Sequence, residues 1–195
     1  MREHLRREKI WEREGFRQKY LNGRGIDIGA GDFPLEHPAV FHYDRSIDPS
    51  HDAVRVPHFE KESMDFVYSA HCLEHLPEPE EALARWWELL KPGGHLILLV
   101  PDFTLYEHQQ FPSRFNSDHK QVYSLSLPAA KNLPNKTLMN PLQDVRMLPG
   151  AWIKYARVND DGFDYNAPMD RDQTLGGVLC EIELVARKGF PYGKS

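Results

Sequence analysis

Two glycines one residue apart, set directly behind a short apolar stretch and an acid, are the first feature that could do chemistry: Asp27-Ile28-Gly29-Ala30-Gly31. A backbone without Cβ atoms lets a ligand come close to main-chain groups. In open α/β sheets ligands sit at the carboxyl ends of the strands, where such a turn would lie. The dinucleotide fingerprint is incomplete, because Pro34 stands where its third glycine belongs. No Gly-Lys-Ser/Thr follows the turn, so a phosphate-binding P-loop is also absent. Both facts point to a ligand that brings no pyrophosphate to this turn. Asp48, 17 residues beyond Gly31, is the first candidate to accept a pair of ribose hydroxyls, with Asp44 as the competing choice. Asp52 beside Ala53, followed by Pro57-His58-Phe59, could receive an adenine amino group against an apolar wall, or Asp52 could cap its own loop.

A second cluster is His71-Cys72-Leu73-Glu74-His75, which matches the H-x-x-E-H pattern of zinc peptidases. Such a site needs a long helix through both histidines. Here the segment comes straight off an apolar strand and meets Pro77 two residues later, so no metal is expected from that pair. Glu74 and His75 are read instead as hydrogen-bonding to each other or near a bound ligand.

The elements that must carry these residues follow from hydrophobic periodicity. Residues 1–21 read as a polar helix with Leu5, Ile10, Trp11, Phe16 and Tyr20 as its apolar side, packed on the domain edge or lying over the site as a lid. Gly25–Ile28, residues 39–48 and Met64–Ser69 read as strands, and residues 95–100 (HLILLV) as a central parallel strand. A helix begins near Pro79, with Glu78, Glu80 and Glu81 suiting its positive end, and stops at Lys91-Pro92-Gly93-Gly94. Residues 151–158 and 177–188 alternate well enough to be a terminal pair of strands, expected to close one sheet edge in antiparallel fashion. The fold class this implies is α/β: a doubly wound, Rossmann-like, mostly parallel sheet with an antiparallel C-terminal edge strand. A length of 195 residues favours one domain. It divides into an N-terminal helix (1–21), a ligand-binding half (22–102), an insertion facing the substrate (103–149) and the C-terminal strand pair (150–195). The sequence is 41% apolar with a net charge of −5. An acidic surface lacks the basic footprint that nucleic acid requires. No apolar run is long enough for a membrane span, and the charged opening residues do not read as a secretory signal. Two cysteines without framework spacing suit a reducing, cytoplasmic setting.

Taken in order, the glycine turn, Asp52-Ala53, residues 65–76 (DFVYSAHCLEHL) and Leu90-Lys91-Pro92-Gly93-Gly94 resemble class I S-adenosylmethionine-dependent methyltransferases of the UbiE-like type (methyltransferase type 11). The resemblance covers about residues 23–102. A closer likeness is to a bacterial branch that also carries the segment Pro112-Ser113-Arg114-Phe115-Asn116-Ser117-Asp118-His119-Lys120. The resemblance implies S-adenosylmethionine as cofactor and S-adenosylhomocysteine as product. Asp27, Gly29, Ala30 and Gly31 would line the methionine part, Asp48 would hold the ribose, and Asp52 and Ala53 the adenine. Ala70 and His71 would stand beside the sulfonium. Two departures accompany it: the third glycine of the family's turn is Phe33, and only sixteen residues separate Asp48 from Asp65, so the second crossover helix is expected to be reduced or absent.

The implied reaction is an in-line displacement, in which orientation and exclusion of water do most of the work. A hydroxyl acceptor would add the need for a general base. His119 is the first choice, Asp102 just past the fifth strand the second, and His71 and His108 follow. Arg114 and Lys120 could bind an anionic substrate group, and Phe103, Tyr106 or Phe111 could stack on a sugar ring. The leading expectation is transfer of a methyl group to a hydroxyl of a small metabolite or glycan precursor. Alternatives are N-methylation of an amine or protein target, or a cofactor-binding partner subunit without catalysis. The terminal edge strand would permit a homodimer.

Overall fold

In the computed structural model, residues 3–126, 133 and 138–190 are described. Parts of the 103–149 insertion (127–132 and 134–137), and the chain's first two and last five residues, lie outside them. The charged first segment forms helix α1 (Glu3–Glu14), broken at Gly15 and continued by the short α2 (Phe16–Tyr20). The expected single helix over 1–21 is therefore two, because Gly15 takes a left-handed conformation (φ 62°). Strands β1 (Gly25–Ile28), β2 (Val40–Tyr43) and β3 (Met64–Ala70) follow, then a 3₁₀ turn at Leu73–His75, helix α3 (Pro79–Leu89) and the long β4 (Leu90–Pro101). The insertion holds a two-residue pair, β5 (Val122–Tyr123) and β6 (Leu138–Met139), and helix α4 (Pro141–Arg146). Strands β7 (Ala151–Asn159) and β8 (Glu181–Lys188) end the fold.

The main sheet has the order β2-β1-β3-β4-β8-β7. The first four strands are parallel, β8 runs antiparallel to β4, and β7 antiparallel to β8. This is the expected Rossmann-like sheet with an antiparallel C-terminal edge. Neither β1 and β2 nor β2 and β3 are joined by a helix. The loss of the second crossover helix was legible in the spacing, and the first is missing as well. Residues 29–39 carry two prolines, which oppose a helix over so short a span.

Alternation along the strands sorts the core into two layers. Ile97 and Leu99 of β4, with Phe66 and Tyr68 of β3, face Trp11, Phe16 and Leu21. Leu96, Leu98 and Val100 face the opposite way, with Val67, towards Leu83, Trp86 and Trp87 of α3 and Val145 of α4. The N-terminal helices thus cover the face that the missing crossover helices would otherwise cover. Trp11 is the centre of that cover. It is almost wholly buried, stacks on Phe16 with ring centroids 4.0 Å apart, and donates from Nε1 to the buried Glu183 at 2.7 Å. Replacing Trp11 with alanine is expected to cost about 3–5 kcal/mol for the lost burial and cavity. It also removes one of the groups that satisfy Glu183. Urea denaturation monitored by circular dichroism reads the loss, and a change below about 1 kcal/mol would show that α1 is not integral to the core.

Candidate functional site

β1 delivers the glycine turn to the carboxyl edge of the sheet. Its four residues are all buried, and Gly29 N then donates to Tyr43 O at 2.9 Å, tying the turn to the end of β2. The two glycines serve different purposes. At Gly29 (φ 80°) a Cβ would lie 2.4 Å from Cys72 Cβ, so this position is bare because the chain after β3 packs against it. At Gly31 (φ 50°) a Cβ would meet nothing nearer than Gly29 O at 3.9 Å, so this position faces open space. The two sides of the turn open on separate cavities that share Gly29 in their walls. One, of about 600 Å³, is lined by Asp27, Ala30, Gly31, Ala70, His71 and Arg7 of α1 among others. The other, of about 570 Å³, is lined by Asp44, His51, Asp52, Ala53, His75 and Lys120 among others.

The first cavity is rich in buried charge. Arg7 makes a two-pronged contact with Glu181 of β8, with Nε 2.9 Å from Oε1. His71 Nε2 lies 3.1 Å from Glu181 Oε2, and His71 Nδ1 lies 3.6 Å from Glu74 Oε1. Burial would push Glu181 up, but Arg7 and His71 hold it far below the ordinary carboxylate range. Burial opposes a proton on His71, and Glu181 and Glu74 overcome this, raising its pKa to about 10. His71 is therefore cationic at neutral pH and is a hydrogen-bond donor there, not a base. Asp27 lies behind the turn, 2% exposed, and accepts from Leu35 N at 2.8 Å. Burial pushes its pKa up to about 6, against the opposing Leu35 N–H and His42.

Among the sequence candidates for the nucleoside end, Asp44, Asp52 and Ala53 line the second cavity and Asp48 lines neither cavity. The position of Asp48 has a local cause. β2 ends at Tyr43, five residues before the expected end, because Asp44 closes its own turn by accepting from Ser46 N at 2.7 Å. Asp48 is left exposed, accepting from Ser50 N at 2.9 Å. Asp44 also accepts from Gly31 N at 3.2 Å. Its burial pushes the pKa up, and the Ser46 and Gly31 contacts with His51 bring it below the ordinary value. Each backbone donor uses one lone-pair site, so the ionised carboxylate keeps capacity for two more donors. Asp52 accepts from Val54 N and Arg55 N, the loop cap that its sequence context allowed.

The candidates for acid–base and acceptor roles are dispersed. Asp102 is buried and accepts from Thr104 N and Leu105 N, closing the turn after β4. His119 is buried, with Nδ1 2.6 Å from Glu107 Oε1 and its ring 4.9 Å from that of His75. Neither Asp102 nor His119 lines either cavity. Tyr106 packs on His119 and Phe115, and burial pushes its hydroxyl well above the ordinary tyrosine range, which keeps it protonated. Lys120 lies on the wall of the second cavity beside Asp118, and Arg114 is exposed outside both cavities. Sequence reading missed Arg7, Glu181 and Glu107. The signal for Glu181 was present in Glu181-Ile182-Glu183-Leu184, where two acids fall on one face of an otherwise apolar strand.

Residues 45–98 match the family described as Methyltransferase domain. A curated relative, Phosphoethanolamine N-methyltransferase 2 of Caenorhabditis elegans, is 40% identical over 91 residues. That match takes in 47% of this chain and 21% of the relative, so the chain spans about a fifth of that protein. An S-adenosylmethionine-dependent methyltransferase from Archaeoglobus fulgidus has a similar structure (TM-score 0.54, 15% identity, 93% of this chain and 94% of that one). The [4+2]-cyclase SpnF is similar too (TM-score 0.52, 14% identity, 91% and 80%). The fold is thus the Rossmann-like fold of class I methyltransferases. SpnF shows that the fold by itself does not name a reaction.

The turn fits the S-adenosylmethionine that this family implies, since Gly31 leaves space that a Cβ would fill and Asp44 faces it with unused acceptor capacity. The cost of the buried acid beneath the turn is measurable. Below about pH 4 Asp27 is protonated in both folded and unfolded chains. Between about pH 4 and 6 the unfolded chain loses this proton while the folded chain keeps it, so the group's contribution to stability falls as pH rises, by about 3 kcal/mol in all. Asp27→Asn is expected to remove this slope, so that the variant gains on the parent across that window. Urea unfolding of both proteins at several pH values checks it, and a stability difference independent of pH would place Asp27 at an ordinary carboxylate pKa.

Proposed function

We propose that this chain, a class I S-adenosylmethionine-dependent methyltransferase by fold and motif, transfers the methyl group to an oxygen of a small-molecule or saccharide acceptor. The observation that carries the reading is the turn at Gly29–Gly31, with an open backbone face between two cavities and an ionised Asp44 across from it. In this proposal Asp27, Gly29, Ala30 and Gly31 hold the methionine part, and Ala70 and His71 stand at the reacting end. Asp44, in place of Asp48, holds the ribose, and Asp52 and Ala53 border the adenine. When bound, the cofactor supplies a methyl group on a sulfonium that needs no protonated leaving group. The chain's contribution is then alignment and dryness, which can supply on the order of 7–11 kcal/mol of a barrier. His71, kept cationic by Glu181 and Glu74, orients an electron-rich group at the wall of the first cavity and takes no proton away; as the O–CH3 bond forms and the S–CH3 bond breaks, the hydroxyl proton passes to water. The insertion at 103–149 is proposed to face the acceptor, with Tyr106, Lys120 and Arg114 nearest its surface.

N-methylation is the second reading, favoured by the likeness to the phosphoethanolamine N-methyltransferase. That likeness reaches less than half of this chain. An acceptor amine needs no base if it arrives deprotonated, which suits a site whose nearest imidazole is already charged.

Calorimetry with S-adenosylhomocysteine tests the site. Charge-assisted hydrogen bonds contribute about 1.5–3 kcal/mol each, so Asp44→Asn should weaken binding at least about 10-fold. Asp48→Asn should leave it unchanged, and the reverse pattern would return the ribose to Asp48. The acceptor is tested with radiolabelled S-adenosylmethionine against nucleotide sugars, glycan precursors, phenolic metabolites and phosphoethanolamine. Label entering a hydroxyl compound is the expected result. Label entering only the amine would overturn the first reading in favour of the second.

A further inference from the structure

At the edge of the second cavity, three side chains converge from two loops. Glu74 and His75 come from the 3₁₀ turn after β3, and His119 comes from the insertion. One donor atom from each lies within 4.8 Å of the other two, a grouping of its kind found once among the described residues. Glu74 is 1% exposed, yet neither of its carboxylate oxygens has a hydrogen-bond partner. The nearest imidazole nitrogens, His71 Nδ1 at 3.6 Å and His75 Nε2 at 3.9 Å, are too distant to be hydrogen bonds. A buried carboxylate left bare in this way is costly unless something else satisfies it.

The two histidines are prepared in the same manner. His75 Nδ1 lies 2.9 Å from Asp118 Oδ2, and His119 Nδ1 lies 2.6 Å from Glu107 Oε1. Carboxylates on Nδ1 fix each ring's tautomer and leave Nε2 with its lone pair free, the arrangement in which imidazoles ligate metals. The loops that carry them are fastened together, with Lys120 N and Gln121 N both donating to Glu74 O at 2.8 and 3.1 Å. The donors are therefore held in place by main chain as well as by side chains.

We propose that Glu74, His75 Nε2 and His119 Nε2 bind one divalent first-row transition-metal ion. Two imidazoles and one carboxylate suit zinc or iron(II) and leave coordination positions open to water or another oxygen ligand. This set differs from the H-x-x-E-H pair that the sequence offered. His71 is turned towards Glu181, and its place is taken by His119, far along the chain. His75 also lines the second cavity, so the ion would stand at the edge of the crevice. The site does not depend on methyl transfer, and its test uses neither cofactor nor acceptor.

The protein, stripped with chelator, is titrated with cobalt(II) and followed by visible absorption, then with zinc(II) by calorimetry. One equivalent of cobalt(II) per chain with d–d bands is expected, displaced by zinc(II). His75→Gln and His119→Gln should each weaken binding by 100-fold or more. Asp118→Asn, which alters an exposed partner shared by His75 and Lys120, should weaken it about 10-fold or more while leaving the fold intact. His37→Gln, remote from the group, should change nothing. If His119→Gln fails to fold, His75→Gln and Asp118→Asn decide the question. Absence of stoichiometric binding, or binding that survives in these two variants, would overturn the proposal and leave Glu74 as a buried carboxylate held only by its neighbours' charge.

Discussion

The ion pair between Arg7 and Glu181 is the constraint on which the rest of the structure depends. Both groups are buried, one on the first helix and one on the last strand. Removing either partner of such a pair leaves an uncompensated charge inside the protein, a loss of about 3–5 kcal/mol. The contact fixes where α1 lies, and α1 forms a wall of the first cavity. Glu181 also holds His71, whose backbone adopts a positive φ of 52° that an ordinary side chain avoids. One carboxylate thus positions the helix over the crevice and the imidazole inside it.

The absence of helices after β1 and β2 gives this arrangement its importance. In a doubly wound sheet those helices cover one face and bring a helix N-terminus to the ligand turn. Here residues 29–39 and 44–63 are irregular, and Trp11, Phe16 and Leu21 cover the face instead. The glycine turn is stabilised by side chains and strand ends, with Asp44 on Gly31 N and Tyr43 O on Gly29 N. A turn secured in this way does not need the third glycine, which explains how Phe33 and Pro34 are tolerated there.

Much of the fold was legible because it rests on local patterns. The span of β1 was read to the residue, β3 and the start of α3 nearly so, and the antiparallel final pair followed from alternation in 151–158 and 177–188. The strand β2 was read too long, since the apolar rhythm of residues 39–48 continues past Tyr43 and only the self-capping of Asp44 ends it. The same reading placed Asp48 at a strand end, where the folded chain instead has an exposed turn. Gly29 and Gly31 were found by spacing, but spacing does not reveal that one packs on Cys72 and the other faces open space. The partners of His71, His75 and His119 were out of reach for a plainer reason. Glu181, Asp118 and Glu107 lie on other elements, and only the folded chain brings opposite charges from distant loops into register.

The pairing of the first helix with the last strand also bears on how the molecule comes into being. Arg7 is separated from Glu181 by 174 residues, and Trp11 from Glu183 by 172. Contacts so remote along the chain form late, after the loop between them has closed. On a ribosome, α1 emerges long before its docking surface exists, and its tryptophan must stay solvated or shielded in the interval. The parallel strands can assemble without it, but the ligand crevice acquires its α1 wall only when synthesis has passed β8. Competence to bind is therefore gained late, through a segment synthesised well before the strand on which it docks.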